Sequence, residues 1–583
     1  MTAVEAPAGE APAGEAPAGK APAGKAGRPP LLGQVAHISL ASRLYGFGSI
    51  YAKTMRDSRL ALLIVGGLTI GLMVFGWQAI GAAFPDAKAR QDMAKLVNDL
   101  PPIMKGLGGN PVNVDRIGGY ISWKYGPFFA LVVGLWSIMA LSGTLAAEAR
   151  KGSLDVVAAS PFGKRRIAIE KLAAHVTGMV LIMAGLVIVT AISSSALAVQ
   201  ESDRLPLSDS VGFGLWLGLI GLVSGSVAWA LAPFLGRASA AGIAGALLLG
   251  GYVLSGYQAA VPALQPLAHL TWFYWTYNEV PLAGQSDWPS LIPVAIVAVV
   301  LFVIGIEAFQ RRDLGVSSAI PVPAMPGALL GTTGPTRRAF GERLPVAIAW
   351  GVGLAIYAAL IAGSSRSFAD ELRTTPDVYN LLKGVFPTYD VASAGGFLQL
   401  MFAYLGFVVA GLAAATLVSG WSSDEGDRRL ELLLASPLGR ARWALAGGIG
   451  VFGAIAVMTG LAMLGVALGV ASAGGDVLTP VAGALILGLY AAAAAGVGMA
   501  VGGLFRNTIA GELTATFVIA TFLIDFLAPP LNLPDPVHQI ALTSHFGQTM
   551  VGNWDPAGVA ACLVLAVGGL LLGAWGMTRR DVA

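Results

Sequence analysis

One stretch of the sequence spells a motif with chemistry of its own. Gly14 to Lys20 reads G-x-x-x-x-G-K, the opening of a phosphate loop, whose backbone N–H groups cradle a nucleotide. Ala21 follows where Ser or Thr should hold magnesium, and no strand precedes it. The motif falls in a tail of "EAPAG" and "KAPAG" units, dense in Pro and Gly and without an apolar face, which predicts disorder. His269, His538 and His545 lack metal-ligand spacing, and the single Cys562 excludes an internal disulfide or a multi-cysteine metal site. No H-E-x-x-H, no G-x-S-x-G and no paired mid-membrane aspartates occur. What remains is polar groups beside short apolar runs. Glu148 and Asp155 accompany "LDVVAASPFGKRR", from Leu154 to Arg166, and Asp424, Glu425 and Glu431 accompany "LELLLASPLGRAR", from Leu430 to Arg442. Such a pattern suits recognition rather than catalysis.

The elements that must position these phrases are membrane helices. Of 583 residues, 55% are hydrophobic and 12% charged, about half the charged fraction of a soluble protein. The apolar residues come in blocks of about 20, long enough to cross a hydrocarbon core as helices, the one open-chain form that satisfies its own backbone there. Spans are predicted near 59–84, 125–147, 173–199, 211–235, 238–258, 290–309, 344–363, 396–420, 443–473, 478–505, 507–528 and 556–577, about twelve in all. Lys and Arg crowd alternate connections, and the connections 259–289 and 529–555 contain neither. The positive-inside rule then puts both termini in the cytoplasm of a multi-pass plasma-membrane protein. The long mixed-charge connections near 85–120 and 364–392 weaken that rule without reversing it. Leu40 to Arg59 reads either as an amphipathic helix on the membrane surface or as an ordinary basic flank.

Polar landmarks recur in order about 270 residues apart: Gly118-Gly119 with Gly395-Gly396, Ser160-Pro161 with Ser436-Pro437, Arg237 with Arg506, and "RRD" at Arg311 with "RRD" at Arg579. Collinear similarity of polar loops predicts a duplication with six spans per half. An even number makes the halves parallel repeats about an axis along the membrane normal. The expected division is a disordered tail 1–39, a first half 40–315, a cytoplasmic linker 316–342 and a second half 343–583. Each Ser-Pro phrase falls between the second and third spans of its half, on the basic side. Its apolar stretch has room for about two helical turns. Ser before Pro ends one helix and starts the approach to the next. Two readings stay open: a surface hairpin that merely turns the chain, and a docking knob for a cytosolic partner.

"EARKGSLDVVAASPFGKRR" resembles the intracellular loop of ABC-2 type permeases, and the twelve-span layout with "RRD" endings resembles actinobacterial permeases for polyketide antibiotics and drugs. Ser153 stands where that loop usually has Thr, and Arg428 and Arg429 stand where Gly and Thr are expected. The resemblance implies an all-α integral-membrane exporter subunit that is not itself an enzyme. Glu148, Leu154, Asp155, Ser160 and Pro161 would form one coupling loop, and Glu425, Leu430, Glu431, Ser436 and Pro437 the other. Two copies of a separate cytosolic ABC ATPase, carrying ATP and magnesium, would dock there. No second permease chain is required, no nucleic acid is involved, and this chain binds no cofactor or metal.

The resemblance also implies that the second and fifth spans of each half line the cargo cavity. The candidates are Phe128, Phe129, Trp136, Met139, Phe402, Phe407, Phe517 and Phe522, a wall suited to lipophilic or amphipathic cargo. The same residues serve equally as lipid-facing or packing groups. The aromatics Trp272, Phe273, Tyr274, Trp275 and Tyr277 suit either an interfacial belt or a gate over the exit. A proton- or ion-coupled secondary transporter is the alternative, with lipid or glycolipid export also open; the former should place carboxylates or broken helices at the midplane.

Overall fold

The computed structural model describes residues 49–311, apart from 107 and 145–162, and residues 334–580, apart from 386–389, 427–429, 436, 506–508 and 532–533. The N-terminal tail, most of the expected linker and the first Ser-Pro phrase, with Glu148, Leu154, Asp155, Ser160 and Pro161, lie outside the described residues, as does Ser436.

Among the described residues, the chain is helical apart from one hairpin of two-residue strands and one isolated bridge. Helix α1 (Ile50–Ala83) is 34 residues long, about 51 Å at 1.5 Å per residue, well beyond a hydrocarbon core of about 30 Å. The segment before Arg59 is therefore continuous with the first span from Ile50 onward. Its first N–H groups lack helical acceptors. Ser49 Oγ accepts from Ala52 at 3.0 Å, and Glu170 Oε2 accepts from Ile50 and Tyr51 at 3.0 and 3.2 Å. An amphipathic α2 (Ala87–Asp99) follows, then α3 (Ile117–Thr144), α4 (Lys164–Ala196), α5 (Leu207–Tyr257) and α6 (Trp288–Arg311). Helix α5 contains the fourth and fifth spans. It reverses at Gly236, whose φ of 76° and ψ of 172° only glycine adopts without strain.

The later helices are α7 (Pro335–Gly363), α8 (Ser365–Thr374), α9 (Pro376–Val385), α10 (Tyr404–Gly426), α11 (Leu430–Leu434), α12 (Arg440–Ala473), α13 (Leu485–Leu504), α14 (Ala510–Leu531) and α15 (Gly569–Arg579). A π-turn over Gln399–Ala403 joins Ala394–Leu398 to α10, and another over Val564–Gly568 joins Pro556–Leu563 to α15. Helix α7 begins at Pro335, inside the stretch read as linker. The connections read as mixed-charge loops instead contain α2, α8 and α9, short helices that bury one face. Met93 and Val97 point inward from α2, and Phe368 of α8 stacks on Phe397 at 4.3 Å.

Among the described residues, eleven helices are long and apolar enough to cross a membrane, against the twelve expected. The difference lies at 507–528. A helix of 22 residues, α14, does run through that stretch.

The buried apolar side chains form two large clusters. One runs from Ile50 to Phe309, the other from Ala347 to Met577 with Tyr257 added. In the first, α1 packs on α4, and α5 on both α3 and α6. In the second, α7 packs on α12, α10 on α13 and α14, and α13 on α15. The clusters meet at Tyr257 and Tyr357, whose rings lie 6.5 Å apart. Cys562, the single cysteine, is fully buried in the second cluster.

Candidate functional site

Basic helix ends gather at one end of the molecule. Arg165 at the start of α4 lies 3.6 Å from Glu307 near the end of α6. Arg440 at the start of α12 donates to the Arg580 carbonyl at 2.7 Å. Arg580 in turn grips Glu425 with two N–H groups, at 2.8 and 2.5 Å, and the Glu425 side chain is 5% exposed. The Glu425 carboxylate thus fixes the end of α10 to the C-terminus and does not face solvent. Asp424 is half-buried beside Glu342, and burial, then that neighbouring charge, push its pKa up.

The second Ser-Pro phrase projects from this anchored frame. Leu430 is 1% exposed and roots α11, while Leu432 is 77% exposed and Glu431 and Pro437 lie open. A leucine that open, next to a rooted one, presents a small greasy and acidic knob. Gly439, extended at φ −65° and ψ 149°, then turns the chain into α12. Gly163 does the same before α4, at φ −62° and ψ 149°.

The opposite end holds two cavities. The larger, about 80 Å³, lies between α3, the two arms of α5 and the 259–287 connection. Ser122, Gly126 and Pro127 line it from α3, Phe213 and Trp216 from the first arm of α5, and Tyr252 from the second. Phe273, Tyr277 and Glu279 close it. Pro127 has no N–H to give the Trp123 carbonyl, so α3 lacks one backbone hydrogen bond beside the cavity. The connection is pinned by tight contacts. A Cβ on Gly118 would strike the Leu282 carbonyl, and Asn113 Nδ2 donates to the Ala283 carbonyl at 2.8 Å. Val280 and Gln285 form an antiparallel bridge around Gly284, at φ 77°. Glu279 is 4% exposed. Its Oε2 accepts from the Asp287 N–H, and its Oε1 has no hydrogen-bond partner. Burial, then the like charge of Asp287, raise its pKa.

The smaller cavity, about 10 Å³, is lined by Phe407, Val408, Tyr490, Phe522, Asp525 and Thr543. Thr543 Oγ1 donates to Asp525 Oδ2 at 2.9 Å. Nearby, β1 (Gly547–Gln548) pairs with β2 (Asn553–Trp554) around Gly552, at φ 84°. A Cβ on Gly395 would press on the Met550 carbonyl.

The candidate cavity residues therefore separate. Phe407 and Phe522 share the smaller cavity. Phe129 is 1% exposed and lies edge-on to Phe213, one shell behind the larger cavity, while Phe128 is half-buried. Phe402 is fully buried against Tyr357 at 5.6 Å, and Phe517 packs on the second core. Trp136 lies 4.8 Å from His175, and Met139 is 54% exposed on the outside of α3. Among the described residues, no three His, Cys, Asp or Glu side chains converge on a metal site. From the second span Ser122, Gly126 and Pro127, and from the fifth Tyr252, line the larger cavity; Phe128, Phe129, Trp136 and Met139 do not. Sequence reasoning missed Glu279. The available signal was a lone glutamate in an aromatic connection without Lys or Arg.

Residues 339–578 match the family model described as the C-terminal domain of the multidrug efflux system permease Rv1217c. No curated protein matches the chain. The match spans α8 to α14 in full and almost all of α7 and α15, the helices that bear the second core. The chain is a multi-pass membrane protein, and its second half is similar to a multidrug efflux permease domain.

Proposed function

We propose that the chain is the transmembrane subunit of an ATP-driven ABC exporter of lipophilic or amphipathic compounds, with drug or antibiotic efflux as its task. It hydrolyses nothing itself. Two copies of a cytosolic ATPase subunit, which bind ATP and magnesium, dock on the two Ser-Pro phrases at the basic end, which faces the cytoplasm together with both termini. The observation that carries this reading is the similarity of residues 339–578 to a multidrug efflux permease domain. Rooted Leu430 beside exposed Leu432 and Glu431 supports the docking knob over a plain turn. In this reading Glu425 acts through Arg580, by holding the knob's stem in place.

One chain supplies both halves, so no second permease chain is needed. The parallel order of packing supports this: first span on third, second on fourth and fifth, fourth on sixth, in each cluster. The glycine pairs support it too, since Gly118 and Gly395 each abut a carbonyl in the last connection of their own half. Ion-coupled transport is the second reading, and the buried Glu279 and half-buried Asp525 are what favour it. Both lie toward one end of the molecule, not at the midplane where such coupling is expected.

The test is purification of the tagged chain from its native membrane in mild detergent, then native mass spectrometry. The expected result is two copies of one ATPase on a single chain. A chain that comes alone, and transports in vesicles on a proton gradient without ATP, overturns the reading.

A further inference from the structure

The larger cavity is not explained by packing. Its volume is about 80 Å³, whereas a pocket for a whole drug-sized ligand takes roughly 300–1,000 Å³. It can take one end of a molecule. Its wall is aromatic on several sides: Phe213, Trp216, Tyr252, Phe273 and Tyr277. Trp216 is held in place because its indole N–H donates to Thr276 Oγ1 at 3.1 Å, and its ring lies 5.8 Å from Phe213. Tyr252 and Phe273 meet edge to face at 5.9 Å.

Into this wall is set one buried carboxylate. Glu279 is 4% exposed, and its Oε1 has no partner. Oε1 lies against α5, since a Cβ on Gly212 would come 3.7 Å from it. None of the described lining residues is Lys, Arg or His. Arg116 reaches the face of Gly284 but does not line the cavity. Desolvating a carboxylate costs several kcal/mol, which only a paired charge or full hydrogen bonding offsets. The Asp287 N–H satisfies one oxygen, and a glutamine would serve it equally well. The acid, rather than the amide, is what needs a reason. An aromatic cage attracts cations through the ring quadrupoles and recognises quaternary ammonium groups in particular.

We propose that this cavity is a subsite for the alkylammonium head of a cationic amphiphile, with Glu279 as counter-charge and Phe213, Trp216, Tyr252 and Tyr277 as the aromatic wall. The subsite deepens the export reading by naming one class of cargo. The hydrophobic tail of such a cargo remains outside the cavity, against lipid or the apolar helix faces. Head-group binding itself requires neither ATP nor a partner subunit.

The test is therefore made on the full chain alone, purified in dodecyl maltoside, which carries no charge. Choline and its uncharged isostere 3,3-dimethyl-1-butanol are titrated calorimetrically against wild type, Glu279→Gln and Trp216→Leu. Choline should bind wild type at least tenfold more tightly than the isostere. Glu279→Gln should abolish that preference while keeping the acceptor for Asp287, and Trp216→Leu should weaken choline binding several-fold. Equal binding of choline and isostere, or no choline binding up to about 100 mM, overturns the proposal. So does unchanged choline binding in Glu279→Gln. If that variant does not fold, the wild-type comparison and Trp216→Leu decide. Failure here leaves ATPase docking intact, and loss of docking leaves choline binding intact.

Discussion

Glu279 shows how a single side chain can carry a site without a motif. Burial and the Asp287 charge keep its proton on at higher pH than an exposed glutamate would. A bound cation favours the ionised form, so acid must compete with the cation. Choline affinity should be highest where Glu279 is fully ionised. It should fall on acidification through a range above that of ordinary glutamates. Glu279→Gln should show no such slope. Calorimetry across a pH series reads both, and a wild-type profile as flat as the variant's excludes the assignment. Among the described residues, the titratable groups that share its cavity or act on its charge are Tyr277, Tyr252 and Asp287, none of them a base. A lone glutamate in an aromatic connection without Lys or Arg marks the residue in the sequence but not its neighbours. Glu279 is brought to Gly212 by the packing of the 259–287 connection on the first arm of α5, and no local spacing encodes that approach. Glu425 is similar: its sequence neighbours mark it as part of an acidic loop, but Arg580, far along the chain, takes both its oxygens.

At the scale of elements, the apolar blocks were legible and their edges were not. Hydrophobicity sets where lipid is crossed, while caps and ion pairs set where the helix stops. Glu170 extends α1 back to Ile50 by accepting its first N–H groups. Helices α2, α8 and α9 were hidden because mixed charge over a short stretch reads as loop until a surface exists to bury one face. The short α11 was legible as an apolar stretch between acidic residues and Ser-Pro, and its exposed Leu432 yields a prediction. Leu432→Asp should leave the fold and choline binding unchanged. It should cost at least about tenfold in ATPase affinity at that site, as a hot-spot contact does, so native mass spectrometry finds mainly one ATPase copy per chain. Leu430→Asp should instead lower the thermal midpoint, because that side chain is fully enclosed. Two retained copies in Leu432→Asp would remove α11 from the docking surface.

The whole molecule has two cores joined at a modest seam, and its stability need not be uniform. Arg90 and Asp203 make the point. They pair at 2.5 Å, at 2% and 0% exposure, where the outer ends of α1, α3 and α4 converge. Asp203 also accepts from Ile117, Val199 and Gln200, and Arg90 Nε donates to the Phe84 carbonyl at 2.9 Å. Removing one member leaves the other buried without its counter-charge, a loss of roughly 3–5 kcal/mol. Arg90→Ala should therefore lower the unfolding temperature of the first core, while the second core melts as before. Scanning calorimetry should resolve one shifted and one fixed transition. A single transition, shifted as a whole, would mean that the two cores unfold together.

The chain also carries its own reporter of that difference. Cys562 is its only thiol, and it is fully enclosed in the second core, on the helix leading into α15. A maleimide can reach it only when that packing opens, so its labelling rate is a clock for one core alone. Every other position is silent in such an experiment. A cysteine placed in any exposed connection would be labelled against almost no background, and the sidedness of each loop can be read without first engineering the native thiol away.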